Sequence, residues 1–151
     1  MPQGFGQTVA EARTWLLVAH VAATLYMTGV IWFVQIVHYP LFSRVGQRGF
    51  CEYEREHVRR TGWVVAGPML AELAAAVAVV WVVGGWLAWT GLALVGVIWI
   101  STGVWQVPAH RRLEAGFDAS VHLWLTRTNW IRTAGWTARS VIALALAAAF
   151  G

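Results

Sequence analysis

The chain has no lysine. Its positive charge rests on eleven arginines among 151 residues. A single cysteine, Cys51, excludes both an intramolecular disulfide and a multi-cysteine metal site. Charge of either sign is scarce, at 12% of residues against about 25% in ordinary soluble domains. Between positions 73 and 110 there is no Asp, Glu, Lys or Arg at all. That gap is too long for one core helix of a soluble protein and long enough for two membrane crossings. The arginines themselves gather in two segments, which points to membrane topology rather than to nucleic acid.

What is present is apolar: 58% hydrophobic residues, eleven of them tryptophan. The length fits one domain, 1–151. Four spans are expected, at about 14–39, 63–83, 92–107 and 128–150. Gly84-Gly85 and Thr90-Gly91 bracket a short turn between the second and third. The first residues lack a basic run and no small-residue cleavage site follows, so a secretory signal peptide is not expected. Arg44, Arg48, Arg55, Arg59, Arg60, Arg111, Arg112 and Arg127 lie on one side and Arg13 alone on the other. Positive-inside reasoning puts both charged segments in the cytoplasm and both termini outside. The first charged segment is expected to hold a helical lead-in to the second span.

Residues three or four apart share a helix face, and each span carries one polar stripe. The first has His20, Thr24, Met27, Ile31, Gln35 and His38. The second has His57, Thr61, Val65, Pro68 and Glu72, the third Trp99, Thr102, Gln106 and His110, and the fourth Asn129, Arg132, Trp136 and Arg139. Lipid satisfies none of the polar groups, so all four stripes are expected to face one another. Thr24, Thr61 and Thr102 read as interhelical glue. Glu72 and Arg139 each lie about ten residues into their spans, roughly 15 Å, close to mid-membrane, and are expected to pair. The pair would fix helix register, or would hold Glu72 in place for proton handling.

His38, His57 and His110 end three spans at one face. Three imidazoles at one depth suit a transition-metal site open to a further ligand. They equally suit interfacial histidines bonded to Glu52, Glu54 or Glu56. His20 reads as a helix-contact residue or an axial haem ligand, and His122 as solvated. Tryptophans beside polar stripes suit a flat lipophilic ligand, and suit helix packing equally.

The run VPAHRRLEAGFD followed by TRTNWIRTAGWTAR resembles the C-terminal half of small bacterial four-span proteins of the anthrone-oxygenase-like group. Those carry a Val-Pro segment ending in Leu after the third span, then Asn-x-x-Arg-Thr opening the fourth. The matching positions are Val107, Pro108, Leu113, Asn129, Arg132 and Thr133. The segments WFVQIVHYPLF and EHVRRTGWVVAGPMLAEL resemble an uncharacterised branch of that group more than its oxygenases. A looser resemblance, through His20 and Pro68, is to bacterial four-span protoporphyrinogen oxidases. With no lysine to serve as a second ligand, haem is the less favoured cofactor.

The combined expectation is an all-α integral membrane protein, an antiparallel four-helix transmembrane bundle in the bacterial inner membrane. Its leading function is that of an oxidoreductase or oxygenase-like enzyme acting on a lipophilic aromatic or quinone-type molecule. His38, His57 and His110 would bind a metal or act as acid and base, and Glu72 would handle protons. Gln35, Gln106, Asn129, Arg132, Trp136 and Arg139 would line the substrate site. The partners are the bilayer and a lipophilic small molecule, with a homo-oligomer or partner membrane subunit left open. The rival is a non-catalytic subunit or a haem- or cofactor-binding protein. A small transporter is disfavoured, since the sequence shows no inverted repeat or broken helix pair.

Overall fold

The structure is a computed structural model and describes residues 3–151. Among the described residues there is no strand. Helix α1 spans Gln3–Phe33, α2 Phe50–Val82, α3 Gly85–Ser101, α4 Val107–Leu113 and α5 Ala119–Phe150. A π turn at Val34–His38 carries α1 onward, and another at Thr102–Gln106 joins α3 to α4. Four helical stretches are long and apolar enough to cross a membrane: Gly6–Arg44, Phe50–Val82, Gly85–Leu113 and Ala119–Phe150. The protein is an all-α four-helix transmembrane bundle. In it α1 packs on α2 and α5, and α3 packs on the same two helices.

The helices run beyond the apolar segments. The lead-in to the second span begins at Phe50, and the fourth span's helix begins at Ala119. Both extensions are held by a cluster at the arginine-rich end, where Phe42, Phe50, Leu113 and Leu125 are all fully buried. Asp118 starts α5 as its N-cap, accepting from the backbone N–H of Ser120 at 2.7 Å and of Val121 at 3.1 Å. The Ser120 hydroxyl bonded to it, with those N–H groups, holds its carboxyl below the usual carboxylate range. At the opposite end Gly84 and Gly85 take φ of 69° and 78°, which lets the chain reverse between α2 and α3 without strain.

Both π turns end one residue short of an X-Pro step, at Tyr39-Pro40 and Val107-Pro108. Proline has no N–H for the usual bond four residues back, and the chain widens there instead. The wide turn changes helix phase, and this corrects the expected third-span stripe. Trp99 faces outward, 36% exposed, while Val95, Ile98 and Ser101 face in; beyond the turn the inward set becomes Gln106 and Ala109. Stripes on the other three spans are as their spacing predicts. Pro68 inside α2 likewise cannot donate to the Val64 carbonyl, and the Tyr26 hydroxyl of α1 donates to that oxygen at 3.4 Å.

Along its axis the bundle alternates apolar and polar layers. Leu17, Val79, Ala88 and Leu146 close one end. Next comes a polar layer of His20, Thr24, Glu72 and Arg139, then an apolar plug of Met27, Ile31, Met69, Ile98 and Trp136. A second polar layer follows, and the Phe42 cluster closes the arginine-rich end.

Candidate functional site

The second polar layer holds the candidate site. The Glu54 carboxylate is fully buried, and its Oε1 accepts from His110 Nδ1 at 2.5 Å. That bond fixes the His110 tautomer, leaving Nε2 to accept from the Tyr39 hydroxyl at 2.9 Å. Carboxylate, imidazole and phenol thus form one hydrogen-bonded chain across three spans. The Arg132 guanidinium of α5 lines the same cavity as this phenol. Beside this chain, His38 Nε2 and His57 Nδ1 share a proton at 2.7 Å, with the Thr61 hydroxyl 3.1 Å from His57 Nδ1. Phe42 packs against the rings of His38, His57 and His110, with centroids 5.3, 5.1 and 6.3 Å away.

A further network orients Arg132. It donates to Asn129 Oδ1 at 3.2 Å, Asn129 Nδ2 donates to Gln35 Oε1 at 2.9 Å, and Gln35 Nε2 donates to the Thr126 carbonyl at 3.2 Å. Gln106 Nε2 donates to Thr128 at 2.9 Å. His122, expected to be solvated, is half-buried and donates from Nε2 to the Tyr39 carbonyl at 2.7 Å. It therefore braces the Tyr39-Pro40 turn.

A cavity of about 220 Å³ opens onto these groups. Tyr39, His57, Gln106, His110 and Arg132 form its polar floor, while Met27, Val30, Ile31, Val34 and Val65 supply apolar wall. Three buried polar atoms of this region, Gln106 Oε1, Arg132 Nε and Glu54 Oε2, have no hydrogen-bond partner among the described residues. Buried polar atoms are rarely left so.

Of the expected substrate-binding residues, Gln106 and Arg132 line the cavity. Gln35 and Asn129 stand behind Arg132, and Trp136 belongs to the apolar plug. Glu72 and Arg139 lie elsewhere, in the other polar layer. Arg139 donates to Glu72 Oε1, to the Gly91 carbonyl and, at 2.8 Å, to His20 Nε2. A Cβ at Gly91 would stand 3.3 Å from that guanidinium, so only glycine leaves it full room. His20, read from sequence as a helix contact or haem ligand, is a third member of this group.

His38, His57 and His110 do come together at one depth, with ring centroids 4.5 Å (His38–His57) and 5.2 Å (His57–His110) apart. His38 Nε2 and His57 Nδ1 bond each other, while both nitrogens of His110 are taken up by Glu54 and Tyr39. Among the described residues no three His, Cys, Asp or Glu side chains are disposed to hold a metal ion. Tyr39 was not singled out from sequence, although it follows His38 directly and falls one turn after Gln35. Glu54 had stood only as one of three acidic residues; its Glu-x-x-His spacing to His57 was the available signal, since i and i+3 share a helix face. The chain matches no family model, no curated protein and no solved structure.

Proposed function

We propose that this protein is a membrane oxidoreductase or oxygenase-like enzyme that takes a lipophilic aromatic or quinone-type molecule into the cavity. The observation that carries this reading is the composition of that cavity, an apolar pocket with a buried cation, a phenol and two imidazoles at one end. Oxidation of a quinol to a quinone passes two electrons to an external electron acceptor and releases a proton from each hydroxyl. The residues of this chain handle only the proton of the hydroxyl seated on the floor. Tyr39 and His110 are placed to take it, with Glu54 stabilising the imidazolium that results, while Arg132 and Gln106 orient the oxygen. The lopsided arginines support a site at the cytoplasmic side with both termini outside, and the resemblance to small bacterial four-span proteins supports a bacterial inner membrane. The sequence resemblance to the anthrone-oxygenase-like group supports the same substrate class.

The test is equilibrium binding of lipophilic monocyclic phenols and quinones to the protein in lipid nanodiscs. Saturable binding is expected, weakened about tenfold or more by Arg132→Met. Absence of saturable binding across such a panel would contradict the reading.

One observation favours a second reading. Glu54 Oε2 is buried without a hydrogen-bond partner among the described residues, its other oxygen is bonded to His110, and His110 adjoins His57, which adjoins His38. These are donor types that suit a transition metal, although they are not disposed around one point as they stand. Those side chains would hold the metal by giving up the hydrogen bonds they now make, and the metal would supply redox or Lewis-acid chemistry beside the cavity. Metal analysis of protein purified without chelator decides it. Stoichiometric metal lost in His57→Ala supports this reading, and metal-free protein with full activity contradicts it.

A further inference from the structure

The two sides of the bundle are sealed very differently. Across the α1–α5 interface, side-chain hydrogen bonds run nearly its whole length, including Trp32–Thr137 at 3.0 Å, Thr28–Ser140 at 2.7 Å and Asn129–Gln35 at 2.9 Å. Between α2 and the α3–α4 span, the described residues make a single one, Glu54–His110, at the arginine-rich end. The cavity lies against this loosely joined seam. Of all the residues lining it, only Val58 on α2 and Val107 on α4 are exposed, at 37% and 39%. They line the cavity from the two sides of the seam, with Gly62 one turn deeper on α2. A Cβ at Gly62 would meet nothing within 4 Å. The lip of the cavity is therefore apolar, free of side-chain cross-links, and set where the apolar belt begins.

The volume limits what fits inside. About 220 Å³ is below the roughly 300–1,000 Å³ of pockets that enclose a drug-sized ligand, a size that suits one substituted ring and not a ring with a long chain. Resting on the function proposed above, we infer that the ligand is a tailed amphiphile, a monocyclic phenol or quinone head bearing a long hydrocarbon chain. Its head enters sideways from the bilayer between α2 and the α3–α4 span. The oxygen of the head meets Arg132 and His110 on the floor. The chain passes out between Val58 and Val107 and stays in the lipid. A molecule of this shape leaves most of its apolar surface in the bilayer, and the protein needs to bury only the head.

The experiment uses the full chain in lipid nanodiscs, with two probes sharing one benzoquinone head, one carrying a decyl chain and one without it. Val58→Trp and Val107→Trp put bulk on the lip without touching the floor, and both positions are exposed, so folding is preserved. Each substitution is expected to raise the Kd of the decyl probe about tenfold and to leave the chainless probe within about twofold. Equal weakening of both probes, or no effect on either, overturns the lateral passage while leaving the cavity as the head's binding site. If the wild type binds neither probe, the proposed function itself falls, and this inference with it.

Discussion

Arg139 on α5 donates to Glu72 on α2 midway along the bundle, both side chains fully shielded from solvent. The Thr24 hydroxyl, 3.2 Å from the same carboxylate oxygen, and His20, 3.6 Å away, complete the group. An arginine at this depth is tolerated because every neighbour it meets accepts from it: a carboxylate, a carbonyl and an imidazole nitrogen.

Removing one member of this pair leaves an uncompensated buried charge, at a cost of about 3–5 kcal/mol, whereas replacing both with apolar groups is often nearly neutral. Glu72→Gln and Arg139→Met are each expected to lower the melting temperature in detergent, and the double variant to recover much of the loss. Thermal unfolding of the four proteins measures this. Losses that simply add would show that the two side chains act independently.

The fold was largely legible in the sequence because spans two and four are unbroken α-helices and span one is α-helical as far as Phe33, its π turn coming only at the end. There the 3.6-residue spacing placed His20, Thr24, Gln35, Glu72, Asn129, Arg132 and Arg139 inward, and all are buried. The third span broke the rule at Trp99, because an ideal-helix projection has no means of registering the extra residue of the π turn at Thr102–Gln106. The candidate site was half legible. The three histidines could be set at one depth by counting. Which of Glu52, Glu54 and Glu56 turns inward depends on α2 starting as far back as Phe50. Tyr39 comes inward beside His38 just past the other π turn, and no simple periodicity marks it.

The proposed orientation rests on the arginine count alone. In a Cys51→Ala background, Gln47→Cys at the arginine-rich end is expected to react with an impermeant thiol reagent only after the membrane is opened. Thr90→Cys at the other end is expected to react in intact cells. Labelling of position 47 from outside would reverse the topology.

The Asp118 cap carries a pH signature. Its carboxyl is held below the usual range by the Ser120 hydroxyl and the N–H groups of Val121 and Ser120. A depressed folded-state pKa contributes stability above the unfolded value, near 3.8, and loses it as pH falls through the folded value. The stability gap between wild type and Asp118→Ala should be constant from neutral pH down to about pH 5 and shrink below about pH 4. Melting curves between those values measure it. A gap that widens on acidification would contradict the cap's ionised state.

The account turns on the chain from Glu54 through His110 to Tyr39 moving the substrate's proton. The most direct measurement is the rate at which nanodisc-embedded protein oxidises a lipophilic quinol with a chemical electron acceptor supplied. Wild type is compared with Glu54→Gln, His110→Phe and Tyr39→Phe, each confirmed folded by its melting curve. Loss of a positioned acid–base group typically costs about 10²–10⁴-fold in rate. The account predicts losses of that order in His110→Phe and Tyr39→Phe, with quinol binding retained. Folded variants turning over at the wild-type rate would contradict it.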